Sequence, residues 1–151
     1  MARSAKKRSS PARVREAPPS PPSRRLLLDT HVWLWWQTDD SRLGRATRKL
    51  IASAPEVRLS VVSAWEIAIK SSLGKLVLPR GFDIAEELDR DGFQSLAIEM
   101  AHAAGLVSLP SRHRDPFDRM LISQALAEGL TLVTADAQLD GYGARLMNAR
   151  L

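Results

Sequence analysis

The chain has no cysteine among its 151 residues. Disulfides, thiolate zinc sites and cysteine nucleophiles are therefore excluded. That absence is compatible with a reducing cytoplasm, which is the expected location. No window approaches about 18 consecutive apolar residues, so no transmembrane helix is expected. There is no G-x-x-x-x-G-K-[ST] phosphate loop, and none of the eight glycines follows the first apolar run as a dinucleotide fingerprint requires. G-x-S-x-G is also missing, which leaves a serine-hydrolase elbow unsupported. Asp29-Thr30-His31 puts histidine where a D-x-D phosphatase carries its second aspartate. The three histidines, His31, His102 and His113, lack the spacing of a zinc site. His102, on an apolar helix face, reads as a packed or surface residue rather than a ligand.

Charge is present but unevenly placed. Eight of the 22 Lys/Arg and one of the 17 Asp/Glu lie in residues 1–25, which gives that segment +7. Residues 26–151 keep 14 bases and 16 acids, a net −2. The overall +5 thus belongs to the start of the chain, a Pro/Ser-rich basic tail expected to be disordered. The remainder is expected to form one domain. It is not a module that holds nucleic acid by bulk charge, so any action on nucleic acid needs a local site.

The domain opens with LLL at 26–28, a strand apolar enough to be covered on both faces. The pattern predicts helices over 30–37, from a Ser41 cap to about 54, over 63–74, over 82–92, from 99 to Pro110, and over 116–129. Strands are predicted over 57–62, 93–98 and 130–136, with a last short one near the end. This alternation predicts an α/β fold: a small parallel sheet flanked by helices on both faces. Function in such sheets gathers beyond the carboxyl ends of the strands.

Acids stand at those ends. Asp29 follows the first strand, Glu66 lies in the helix after the second, Asp115 and Asp118 open the helix at Pro116, and Asp136 follows the strand LTLVT. Each also has a plain structural use. Asp29 and Asp115 can cap helices, Ser63-Ala-Trp-Glu66 fits a capping box, and Asp118 favours the helix dipole. The set is harder to explain one by one. Carboxylates that converge raise one another's pKa, and a cation relieves that repulsion. All-oxygen donors favour Mg²⁺ or Mn²⁺ over zinc. An acidic cluster with one or two such ions suits phosphodiester hydrolysis. Trp33, Trp36 and Trp65 read as core or interface residues rather than base stackers, and Trp35 reads as exposed.

Three stretches, LLLDTHVWLWW, SVVSAWEIAIKSSLGKLVLP and RHRDPFDRMLISQALAEGLTLVTAD, stand in this order. Together they resemble the PIN-domain family, above all the VapC-like toxin ribonucleases of type II toxin–antitoxin pairs. The resemblance spans about residues 26–146 and leaves the basic tail outside. It implies a metal-dependent endoribonuclease, with Asp29, Glu66 and Asp118 as the main Mg²⁺ (or Mn²⁺) ligands. Asp115 matches an extra acid of the DPFDR variant, and Asp136 holds a second ion or a ligand water with support from Thr134. Lys70, Arg114 and Arg119 are candidates for contact with RNA phosphate, against a plainer role as solvated or salt-bridging cations. The resemblance further implies a VapB-like antitoxin as partner and a homodimer, with no membrane association. The competing reading is a non-catalytic PIN-like module that binds RNA or protein. A phosphatase-like hydrolase on the same type of sheet is a third.

Overall fold

The computed structural model describes residues 24–112 and 115–151. The expectations for residues 1–23 of the basic tail, His113 and Arg114 lie outside the described residues; Arg25, expected in the tail, instead opens the first strand and pairs with Glu56. Five strands form one sheet: β1 (Arg25–Leu28), β2 (Glu56–Ser60), β3 (Gln94–Leu96), β4 (Thr131–Thr134) and β5 (Arg145–Asn148). Their order is β3-β2-β1-β4-β5, and every pairing is parallel. The α-helices are α1 (Thr30–Gln37), α2 (Arg45–Ser53), α3 (Val61–Ser72), α4 (Ile84–Asp91), α5 (Met100–Gly105) and α6 (Pro116–Glu128).

The central position of β1 follows from its composition. Leu26, Leu27 and Leu28 are all fully buried, which a strand needs when helices cover both faces. Side chains alternate across the sheet. Leu26 and Leu28 join Trp33, Ile51 and Leu59 on one face, while Leu27 joins Leu121, Ile122 and Leu132 on the other. Burying each of these side chains contributes about 1.5–3 kcal/mol relative to exposure.

Several boundaries differ from the sequence expectation: the strand expected over 93–98 is only Gln94–Leu96, and the helix expected from 99 to Pro110 is Met100–Gly105 followed by a 3-10 turn, Leu106–Ser108. The helix expected from Ser41 starts at Arg45, with Gly44 at its N-cap. Asp40 accepts the Arg42 amide at 2.8 Å and also grips its guanidinium, which stabilises a turn where the helix was expected. Gly44 lies so close to the Leu151 carbonyl that any Cβ there would collide with it. The third helix starts two residues early. Ser60, not Ser63, caps α3 by accepting the Val62 amide at 3.0 Å. The Ser63–Glu66 capping box therefore does not form, and Glu66 sits beyond the first turn. Ser60 is the better cap because Gln124 accepts its hydroxyl at 2.5 Å, tying the helix start to α6. The start of α6 matches expectation: Asp115 caps it through the amides of Phe117 and Asp118, and Pro116 opens it. Gly129 ends it at φ 65°, in the left-handed region that glycine tolerates.

Candidate metal-dependent active site

The carboxyl ends of β1, β2 and β4 open onto a cleft of about 350 Å³. Asp29, Glu66, Asp115, Asp118 and Asp136 all line it, with Lys70, His31 and Trp35. The sheet thus brings together the whole acidic set expected from sequence. Each acid arrives by a different route. Asp29 is the first residue past β1, and its amide still continues the ladder to the Val133 carbonyl. Glu66 projects from α3, Asp115 and Asp118 from the start of α6, and Asp136 from the exit of β4.

Asp29 and Glu66 are buried, at 6% and 5% exposure. Burial pushes the Asp29 carboxyl above its ordinary pKa, and the nearby Glu66 charge adds to the rise. The Thr134 hydroxyl opposes this by donating to Asp29 Oδ2 at 2.7 Å, and the His31 charge and the Thr30 amide act in the same direction. Glu66 is held at both oxygens. Lys70 Nζ lies 2.6 Å from Oε1, and Thr30 Oγ1 lies 2.7 Å from Oε2. Asp136 caps the turn after β4 by accepting the Gln138 amide, and its own amide donates to Thr134 Oγ1. Thr134 therefore links Asp29 to Asp136.

Thr30 went unnoticed in the sequence. Its hydroxyl also lies 2.9 Å from Ser63 Oγ, so Thr30 and Ser63 together orient Glu66. The available signal was a hydroxyl residue directly after the first-strand acid. Arg119 does not line the cleft. Its guanidinium donates to the Pro110 carbonyl at 2.7 Å and the Leu106 carbonyl at 3.3 Å. His102 is buried and packed, with Nδ1 accepting the Glu99 amide and Nε2 2.9 Å from Glu128. One tryptophan assignment reverses, and one of the core-or-interface alternatives is decided. Trp35 is buried rather than exposed, because Arg42 and Arg150 lie over its ring. Trp65 is 59% exposed and touches Phe117 by a ring edge.

The donor chemistry fits a hard divalent cation: carboxylate oxygens only, two of them buried side by side. The geometry is not closed around an ion. Among the described residues no three Asp, Glu or His side chains are arranged to hold a metal as they stand. Lys70 supplies the positive charge against Glu66 instead.

A parallel α/β sheet that gathers five acids beyond its carboxyl edge places them where such folds bind their ligands. A family model for the PIN domain matches residues 26–144, and the chain belongs to that family. It is 31% identical over 120 residues to Ribonuclease VapC22 of Mycobacterium tuberculosis, a match covering 78% of this chain and 91% of that relative. Two solved structures share the fold. The DNA-bound VapBC of Salmonella typhimurium matches with TM-score 0.61 at 18% identity, over 82% of this chain and 96% of that one. VapBC2 of Rickettsia felis, bound to a promoter DNA fragment, matches with TM-score 0.59 at 15% identity, over 82% and 97%. At these identities the structural likeness carries the fold alone.

Proposed function

We propose that the chain is a metal-dependent endoribonuclease toxin, restrained by a cognate antitoxin, and that the acidic cleft is where it cuts RNA. One observation carries the site assignment: Asp29 and Glu66 are buried together at the base of a cleft rimmed by three more carboxylates. The family and the likeness to Ribonuclease VapC22 support the ribonuclease class. The VapBC complexes among the fold relatives support an antitoxin partner.

Asp29, Glu66 and Asp118 would be the main ligands of Mg²⁺ or Mn²⁺, with Asp115 and Asp136 at the rim. Such an ion supplies an acidified water and neutralises charge on the scissile phosphate. The residues of the chain do the rest. Thr134 fixes one oxygen of Asp29, and Thr30 fixes one of Glu66, so both carboxylates are oriented before substrate arrives. Lys70, paired with Glu66 Oε1, holds that carboxylate at the cleft wall. No side-chain nucleophile is required.

Purified protein should cleave single-stranded or structured RNA with Mg²⁺ or Mn²⁺ and stop on chelation. If a well-folded preparation leaves RNA intact with either ion, and neither ion raises its melting temperature, the non-catalytic reading takes over. The homodimer belongs to the same proposal. Val61 and Trp65 stand exposed one turn apart on α3, an apolar face that a second copy would cover. Trp65→Asp should convert a dimer to a monomer by light scattering. A dimer that survives this change places the contact elsewhere.

A further inference from the structure

Trp35 forms part of the wall of the acidic cleft, beside Asp29 and Asp136. Two guanidinium groups lie over its ring, Arg42 at 5.1 Å and Arg150 at 5.5 Å from the centroid. They are not equivalent. Arg42 is committed to Asp40, at 2.6 Å, and holds that carboxyl down to about 2. Arg150 is exposed and, among the described residues, makes no ion pair. Lys70 is likewise committed, to Glu66.

The backbone that carries Arg150 is fixed on both sides. Ala149 is fully buried, its amide donates to the Thr134 carbonyl at 2.9 Å, and its carbonyl accepts the Gly44 amide at 2.9 Å. The Arg150 amide donates to Asn148 Oδ1 at 2.9 Å. Thr134 is also the residue that holds Asp29. The backbone that carries Arg150 is thus tied to Asp29 through Ala149 and Thr134. Arg150 lines a second cavity, of about 300 Å³, that shares Ala135 and Asp136 with the acidic cleft. Asp140 lines this cavity too, and among the described residues Arg150 is the one cation in its lining.

We infer that Arg150 binds a backbone phosphate of the RNA strand flanking the scissile one, with Trp35 as the platform that holds its guanidinium. The inference rests on the ribonuclease reading. The chemistry is direct. A guanidinium presents a planar fork matched to phosphate oxygens, and stacking on an indole reduces what must be ordered on binding. A cleft rimmed by carboxylates repels polyanion, so the strand needs a cation beyond the rim.

The test uses the full-length chain in the Asp29→Asn background, with a fluorescein-labelled single-stranded RNA and anisotropy across a salt series. Arg150→Ala should weaken binding about tenfold, the loss of one charge-assisted contact. It should also make the slope of log K against log salt shallower by about 0.7, one phosphate contact on a single strand. Arg150→Lys keeps the charge and should keep the slope. Arg145→Ala removes an exposed charge at the opposite end of β5 and should leave the slope unchanged. With Asp29 restored, Arg150→Ala should raise KM while kcat stays within about twofold. An unchanged slope for Arg150→Ala overturns the inference, as does an equal change in Arg145→Ala. A slope lost equally in Arg150→Lys also overturns it, since the effect is then packing on Trp35. If the wild-type chain does not cut RNA, the ribonuclease reading fails, and the binding series still judges Arg150.

Discussion

Asp29 pays for its position. Its carboxyl is buried, so its folded-state pKa stands above the ordinary 3.8. In the window above 3.8, the folded chain keeps a proton that the unfolded chain has released. Stability therefore falls as pH rises through that window and stays lower at neutral pH. Asp29→Asn removes the charge and should raise the melting temperature of the metal-free protein at pH 7. The same change should reduce RNA cleavage by at least about a hundredfold. A variant that cleaves like wild type would remove Asp29 from the site. Thr134 allows a second check at this scale. Its hydroxyl is the strongest influence opposing the rise, so Thr134→Val should push the Asp29 pKa higher still. The acid limb of the kcat/KM profile should then move to higher pH. A limb that stays in place would mean that Asp29 does not set it.

At the scale of elements, the start of α3 decides where Glu66 points. Ser60 both caps the helix and donates to Gln124. Ser60→Ala should cost about 1–2 kcal/mol in a denaturant titration, from the lost cap and the carbonyl oxygen left unpaired in the core. A loss below about 0.5 kcal/mol would mean that water replaces both bonds. The acids were legible in the sequence because strand exits and helix starts carry strong local signals: apolar runs, Pro116 and T-x-D. The register of α3 was not, because Ser60 and Ser63 are both sound caps locally. Gln124, 64 residues further on, selects between them. Trp35 misled for the same reason. Its cover includes Arg150, whose arrival depends on β5 joining the sheet. Thr30 was hidden by its neighbour, since a hydroxyl after an acid reads as part of a cap until Glu66 is seen across from it.

For the whole molecule, the metal site proposed in the acidic cleft predicts that stability depends on divalent ions. A divalent cation that binds the folded chain alone adds about 2.7 kcal/mol at a hundred times its dissociation constant. Mg²⁺ or Mn²⁺ should raise the melting temperature accordingly, and Asp29→Asn should abolish most of that gain. Equal gains in both proteins would place the ion elsewhere. The net −2 of residues 26–151 points the same way, since a polyanion would meet a slightly acidic surface there.

The central place of β1 has a consequence in time. β1 is made first but pairs on one side with β4, and the Asp29–Thr134 bond closes a separation of 105 residues. Contacts so distant in sequence form late. A chain still being synthesised has its first aspartate long before it has Thr134, Asp136 or Arg150. The acidic cleft therefore cannot be complete on a partly made chain. For a chain of a ribonuclease family, that order keeps the acidic cleft incomplete until the strand that carries Thr134 has been made.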